Sequence, residues 1–170
     1  FAVEVVSMLI ALLPESVFEL TLAGSAPSED AAYELALRET VTALHLGENV
    51  LYTGTLAREQ VREILSAADL TLIPSLSESF GMVALESAAC GTPVIATRAG
   101  GLASSVAHNV SGVLLENRDP NAWAQEIAQL LLDSDRWSSL SESARTFAEQ
   151  HSWSASARVL LKNYEQLLSA

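Results

Sequence analysis

Apolar and polar positions along the chain follow two periods, which predicts an alternation of strands and helices. Short, mainly apolar runs without alternation, several of them closed by Gly or Pro, indicate strands buried on both faces of a sheet. Longer segments with apolar residues three and four positions apart indicate helices. The predicted strands are Phe18–Leu22, Val50–Tyr52, Leu70–Ile73, Val94–Thr97 and Val113–Leu115. The predicted helices are Ala2–Leu13, Ser28–Leu46, Ala57–Ala68, Phe80–Cys90, a short piece after Gly100-Gly101, Asn121–Leu132, Asp135–His151 and Ser154–Leu168.

This order predicts an α/β fold, a doubly wound Rossmann-like parallel sheet with extra helices at its C-terminal end. No repeat or low-complexity linker interrupts the pattern, so residues 1–170 are expected to form one domain. The first helix is apolar nearly all round and is expected to be buried. The tryptophans are expected to pack the C-terminal helices, and they are Trp123, Trp137 and Trp153.

Charge and cysteine content restrict the range of functions that the sequence allows. Nine basic and 21 acidic residues give a net charge of −12, which excludes a general attraction for nucleic acid or anionic membranes. Lys162 is the only lysine, so a phosphate-bearing ligand needs backbone amides, an arginine or another segment. One cysteine, Cys90, favours a reducing, cytoplasmic setting. The sequence contains no run of 18 apolar residues, so no transmembrane segment is predicted.

The loop Pro74–Gly81 is the candidate ligand site of the predicted sheet. Ligands of open parallel sheets bind beyond the carboxyl ends of the strands, and this loop leads from a strand into a helix. The free amides of Gly81, Met82 and Val83 would then form an anion site. The alternative is purely local, with Ser79 as a helix cap and Gly81 easing a turn.

Glu86 stands among apolar neighbours on the helix that follows this loop. Residues three and four positions away are all apolar, which predicts a buried carboxylate with a donor partner, such as an arginine, backbone amides or the hydroxyl groups of a ligand. Glu78 precedes it by eight positions and is expected to face the same crevice. A glycoside hydrolase is not favoured, because Glu86 lies well along a helix rather than at a strand end. No metal-binding motif is present, and the histidines are isolated.

The segment from Pro74 to Ala96, PSLSESFGMVALESAACGTPVIA, closely resembles the signature of glycosyltransferase family four. These enzymes are retaining, use nucleotide sugars and have the GT-B fold, and their C-terminal domain carries a Glu-x7-Glu motif. The similarity extends over essentially the whole chain. It includes Leu20–Gly24, Val50–Gly54, the Gly100-Gly101 turn and the segment from Trp153 to Tyr164.

The resemblance implies a role for each matching position. Glu86 would hold the ribose hydroxyl groups of the donor nucleotide, and Glu78, the candidate catalytic residue, would contact the donor sugar. Thr55 would lie near the nucleobase. Backbone amides would meet the sugar and the pyrophosphate at Phe80, Gly81, Met82 and Val83. The implied donor is a UDP-, GDP- or ADP-sugar, and neither a cofactor nor a metal is implied.

The chain also departs from the family pattern. Family members have an arginine and a lysine that clamp the diphosphate near the start of this domain, but no Arg precedes Arg38 and no Lys precedes Lys162. Ala103-Ser104 stands where Pro-Glu usually follows the Gly-Gly turn. The simplest interpretation is truncation. The chain would then begin in the first helix of the domain and lack the first strand, the clamp and the N-terminal acceptor domain.

The predicted function is therefore hexosyl transfer to an acceptor hydroxyl with retention of configuration, this chain supplying the donor-binding half. The acceptor would be a glycan, a lipid or a small molecule bound by the absent domain, and the isolated fragment would be inactive. The setting is predicted to be cytoplasmic, with peripheral membrane association of the full-length protein left open. The alternatives are a nucleotide-sugar 2-epimerase of the same fold, or a non-catalytic interaction module in which the clamp is lost.

Overall fold

The computed structural model describes residues 1–25 and 31–169 and confirms the alternation of strands and helices. The strands are β1 (Leu20–Ala23), β2 (Val50–Gly54), β3 (Thr71–Ile73), β4 (Val94–Thr97) and β5 (Gly112–Leu115). The helices are α1 (Ala2–Leu12), α2 (Ala31–Ala43), α3 (Arg58–Ala67), α4 (Met82–Ala89), α5 (Leu102–Ser105), α6 (Pro120–Leu132), α7 (Ser134–Gln150) and α8 (Trp153–Leu168). The predicted start of the second helix at Ser28 lies outside the described residues.

All strand pairs are parallel, as predicted, but they form two sheets. β1 pairs with β2, and β3, β4 and β5 form the second sheet in that order. Within the described residues no ladder joins β1 to β3, so the parallel sheet is divided between these two strands. In the second sheet Ile73 pairs with Ala96 and Ala96 with Leu114, which brings the carboxyl ends of three strands to one edge.

Helix α1 is buried, as its uniform apolar composition predicts, and it contributes to the cores of both sheets. Val3 packs in a cluster with Val41 and Val50, beside β1 and β2. Val5 and Leu9 pack in another cluster that includes residues of β4, β5 and α6. The helix therefore buries opposite parts of its surface against two cores.

The tryptophans differ in their surroundings. Trp123 is fully buried, and its Nε1 donates to the carbonyl of Asn117 at 2.8 Å. Trp137 is partly buried, and its Nε1 donates to the carbonyl of Asp69 at 2.9 Å. The prediction is wrong for Trp153, which is 82% exposed, because none of the residues of α8 is buried.

Helix α4 begins two residues later than predicted. Its first residue is Met82 rather than Phe80, and its N-cap is Gly81, at φ +89°. Ser79 is therefore not the cap. Gly91, with φ +79°, follows the last turn as predicted, which fits the left-handed conformation common after a helix C-terminus. None of the helices in the described part of the chain combines the length and the apolar character needed to cross a membrane.

Candidate functional site

Two chain segments meet where β3 and β4 end. Because these strands are parallel neighbours, the loop that follows Ile73 and the turn that follows Thr97 leave the sheet at the same edge. The backbone N–H of Gly101 donates to the carbonyl of Glu78 at 2.8 Å, which joins the turn to the loop. The loop that contains Glu78 therefore lies at this edge of the sheet, directly before α4.

The start of α4 presents free backbone donors. The first amides of a helix have no partner within it. Within the described residues no hydrogen bond is donated by the amides of Phe80, Gly81, Met82 and Val83. These donors and the positive end of the helix dipole make the segment suitable for an anion.

Glu86 lies on the exposed face of α4, so the sequence-based expectation of a buried carboxylate is wrong. Met82, Val83 and Ala89 share this exposed face. The opposite face is buried against the sheet and consists of Ala84, Leu85, Ser87 and Ala88. The carboxylate of Glu86 forms no ion pair with any residue in the described ranges, so the arginine partner considered from the sequence is not found there. An apolar, solvent-facing helix surface thus carries one unpaired carboxylate.

Glu78 is partly buried and held by its own loop. Its Oε1 accepts from the backbone N–H of Ser79 at 3.0 Å, while its carbonyl accepts from Gly101. The side chain and the main chain of Glu78 are therefore both fixed by backbone donors. This arrangement orients a carboxylate next to the first turn of α4.

Thr55 lies at the carboxyl end of β2, in the other sheet. Its hydroxyl is 2.8 Å from the hydroxyl of Ser25, and the backbone N–H of Gly24 donates to the carbonyl of Gly54 at 3.0 Å. The turns after β1 and β2 are thereby joined. Ser25 is not among the site residues predicted from the sequence, although each of two successive strands is followed by Gly and a hydroxyl residue, which is a repeated signal.

Arg98 supplies a cationic side chain at the end of β4, but its charge is already partnered. Its Nε donates to Oε1 of Glu116 at 2.6 Å, across the ends of β4 and β5. The unpaired positive groups of this edge in the described residues are therefore the backbone donors of α4 and Arg118, which follows β5 and lies over the ring of Phe1. Across residues 1–25 and 31–169, no three His, Cys, Asp or Glu side chains come together in a way that could hold a metal ion.

Comparison with known proteins agrees with this architecture. The family described as glycosyl transferases group 1 matches residues 2–147. A D-inositol 3-phosphate glycosyltransferase of Thermobispora bispora is 40% identical over 164 residues, which are 95% of this chain and 38% of that protein.

Solved structures show the same fold. The Anabaena protein HepE, in complex with UDP-glucose, superposes with a TM-score of 0.81 at 27% identity, over 98% of this chain and 44% of HepE. The C-terminal domain of LpcC, a glycosyl transferase group 1 family protein of Francisella tularensis, has a TM-score of 0.77 at 22% identity, over 87% of this chain and 75% of that domain. The predicted fold of a GT-B C-terminal domain is thus confirmed. The chain spans less than half the length of the Thermobispora and HepE proteins. Since the family match covers most of its residues, the chain belongs to the glycosyl transferases group 1.

Proposed function

We propose that this chain binds a nucleotide-diphosphate sugar and forms the donor-binding half of a retaining glycosyltransferase. The observation that carries the proposal is the first part of α4, where Glu86 and the amides at the helix start lie close together and have no partner among the described residues. The family assignment and the UDP-glucose complex of HepE support the same ligand class.

The amides at the start of α4 suit the diphosphate of such a donor. A phosphate placed there would receive hydrogen bonds from backbone N–H groups and would lie at the positive end of the helix. Glu86 lies about 6 Å further along the helix axis than Met82. A carboxylate in that position suits a pair of ribose hydroxyl groups, which are hydrogen-bond donors.

Glu78 would contact the transferred sugar. Its carboxylate has one oxygen engaged by Ser79, and the other oxygen is available to a hydroxyl group of the sugar. During transfer the acceptor hydroxyl would attack the sugar on the face from which the diphosphate leaves. The developing charge on the leaving phosphates would be stabilised by the helix amides, which are already oriented before the reaction.

The remaining parts of the transferase would come from outside these residues. A strand before α1 could pair with the free edges of β1 and β3, since α1 contributes to the cores of both sheets. That strand and its following turn would carry the basic pair that the family uses to clamp the diphosphate. A second domain would bind the acceptor.

Nucleotide titration of the purified protein tests the proposal. Isothermal titration with UDP, GDP and ADP is expected to show one preferred nucleotide, and Glu86→Ala is expected to weaken its binding by about tenfold or more. Glu149→Ala, on the exposed surface of α7, is the matched control and should leave the affinity unchanged.

Two results would contradict the assignment. Equal affinities in the parent protein and in Glu86→Ala would remove the ribose role from Glu86. An equal loss in the Glu149→Ala control would show that the effect does not come from a local contact of Glu86, since removal of a negative charge by itself weakens the repulsion of an anionic nucleotide.

A further inference from the structure

We infer that the segment Arg98–Ser105 is a rigid support that positions Glu78 and the first amides of α4, with Gly101 as its main positioning residue. Only the consequence of this inference for donor binding rests on the proposed function. The contact between support and loop is itself independent of any ligand.

Gly101 is required for close approach rather than for backbone conformation. Its φ of −64° and ψ of −16° are helical values that any residue can adopt. A Cβ at this position would lie 2.4 Å from both the Cα of Phe80 and the carbonyl oxygen of Ser79. Because both contacts are with backbone atoms, no side-chain rotation could relieve them. Only a shift of the loop, or of the turn, would make room for alanine.

Gly100 and Gly81 extend the same contact. A Cβ on Gly100 would lie 2.2 Å from the carbonyl oxygen of Glu78, and its φ of +51° adds a second restriction. A Cβ on Gly81 would lie 2.4 Å from Oγ of Ser105 and 2.9 Å from Cδ2 of Leu102. Three glycines therefore let the backbone around Glu78 and the N-cap of α4 lie directly on this segment.

The support is anchored in the core of the second sheet. The N–H of Arg98 donates to the carbonyl of Leu115 at 2.8 Å, and its side chain pairs with Glu116. Leu102 and Val106 are buried with residues of β3, β4 and β5. Well-packed cores resist displacement. A Cβ at Gly101 is therefore expected to displace the loop with Glu78 rather than the support.

Hydrogen exchange of Gly101→Ala tests the contact directly. We expect the protection of the residue-101 amide, whose N–H donates to the carbonyl of Glu78 in the parent protein, to fall by on the order of tenfold, because the loop loses its fixed contact with the turn. Gly47→Ala is the matched control, since a Cβ there meets nothing within 4 Å. It should leave exchange of the Gly101 amide unchanged.

A second, milder pair of variants tests the same contact even if Gly101→Ala does not fold. Leu102→Val removes one methylene from the support, beneath Gly81. Leu130→Val removes the same group from an equally buried leucine of α6, in a different cluster. Faster exchange of the Gly101 amide, which donates to the carbonyl of Glu78, is expected for Leu102→Val and not for Leu130→Val.

Titrations with UDP and UDP-glucose test whether the support affects binding of the sugar. Gly101→Ala is expected to lower the ratio of UDP-glucose affinity to UDP affinity by about tenfold, because Glu78 moves away from the sugar. A simple loss of stability would leave that ratio unchanged.

The outcomes separate this inference from the proposed function. Unchanged exchange in both Gly101→Ala and Leu102→Val, or equal changes in their controls, would overturn the support. Faster exchange with an unchanged affinity ratio, or without measurable nucleotide binding in the parent protein, would uphold the support and remove the sugar contact from Glu78.

Discussion

The hydroxyl oxygens of Ser25 and Thr55 lie 2.8 Å apart, across the ends of two parallel strands. Each residue follows a glycine, and those glycines are themselves joined by a backbone hydrogen bond. A pair of adjacent turns thus acts as one unit. If Thr55 lies near the nucleobase, Ser25 fixes the direction of its hydroxyl.

Removing either hydroxyl is expected to change nucleotide preference. Among UDP, GDP and ADP, the nucleotide bound most tightly by the parent should lose about three- to tenfold in affinity in Thr55→Val and in Ser25→Ala. The double variant should lose little more than one single variant, because both remove the same hydrogen bond. Isothermal titration measures this, with Thr42→Val on α2 as the control. Additive losses would show that the two hydroxyls act separately.

Gly81→Ala is expected to destabilise the fold more than Gly24→Ala. Both glycines have positive φ, so each substitution strains the backbone by about 1 kcal/mol or more. Only at Gly81 does the added Cβ also collide with neighbours, namely Ser105 and Leu102. Urea denaturation should therefore give a lower midpoint for Gly81→Ala. Equal midpoints would mean that the neighbours yield without cost.

Substitution of Trp123 is expected to destabilise the fold, and substitution of Trp153 is expected to have little effect. Trp123→Phe loses buried volume and the hydrogen bond to Asn117, which should lower the free energy of unfolding by about 1–3 kcal/mol. Trp153→Phe should change it by less than about 0.5 kcal/mol, since the side chain is largely exposed. Thermal unfolding measures both. Tryptophan fluorescence should shift to longer wavelength in Trp123→Phe, because the buried fluorophore is removed.

Nucleotide affinity should rise or stay level with added salt. The chain carries a net charge of −12, so its long-range field repels a nucleoside diphosphate, and salt screens that repulsion. Backbone amides lose less to screening than an exposed arginine or lysine would. Titration at about 20 and 200 mM salt distinguishes the cases. A steep fall in affinity with salt would indicate that side-chain cations hold the phosphates.

Element types could be predicted from the sequence because their patterns are local. The apolar runs of β4 and β5 and the Gly91 that follows α4 depend only on neighbouring residues. The start of α4 could not be placed, since Ser79 and Phe80 are held by a turn some 20 residues later in the chain.

The exposure of Glu86 could not be predicted from the sequence for a different reason. Helix α4 has apolar residues on both faces, with Met82 and Val83 outside and Ala84 and Leu85 inside. Hydrophobic spacing therefore could not decide which face meets the sheet. Strand sequences alone also could not show which strands pair, because a strand's own sequence does not specify its neighbour.

The two cores of α1 have a consequence for unfolding. Within the described residues, no strand ladder connects the sheets, so cooperation between them depends on side chains such as Val3 on one side and Leu9 on the other. A helix that is buried by two clusters makes each of them lose contacts when the other opens. Helix α1 therefore couples two units that could otherwise open separately. A cavity introduced along this helix would replace a single unfolding transition with two.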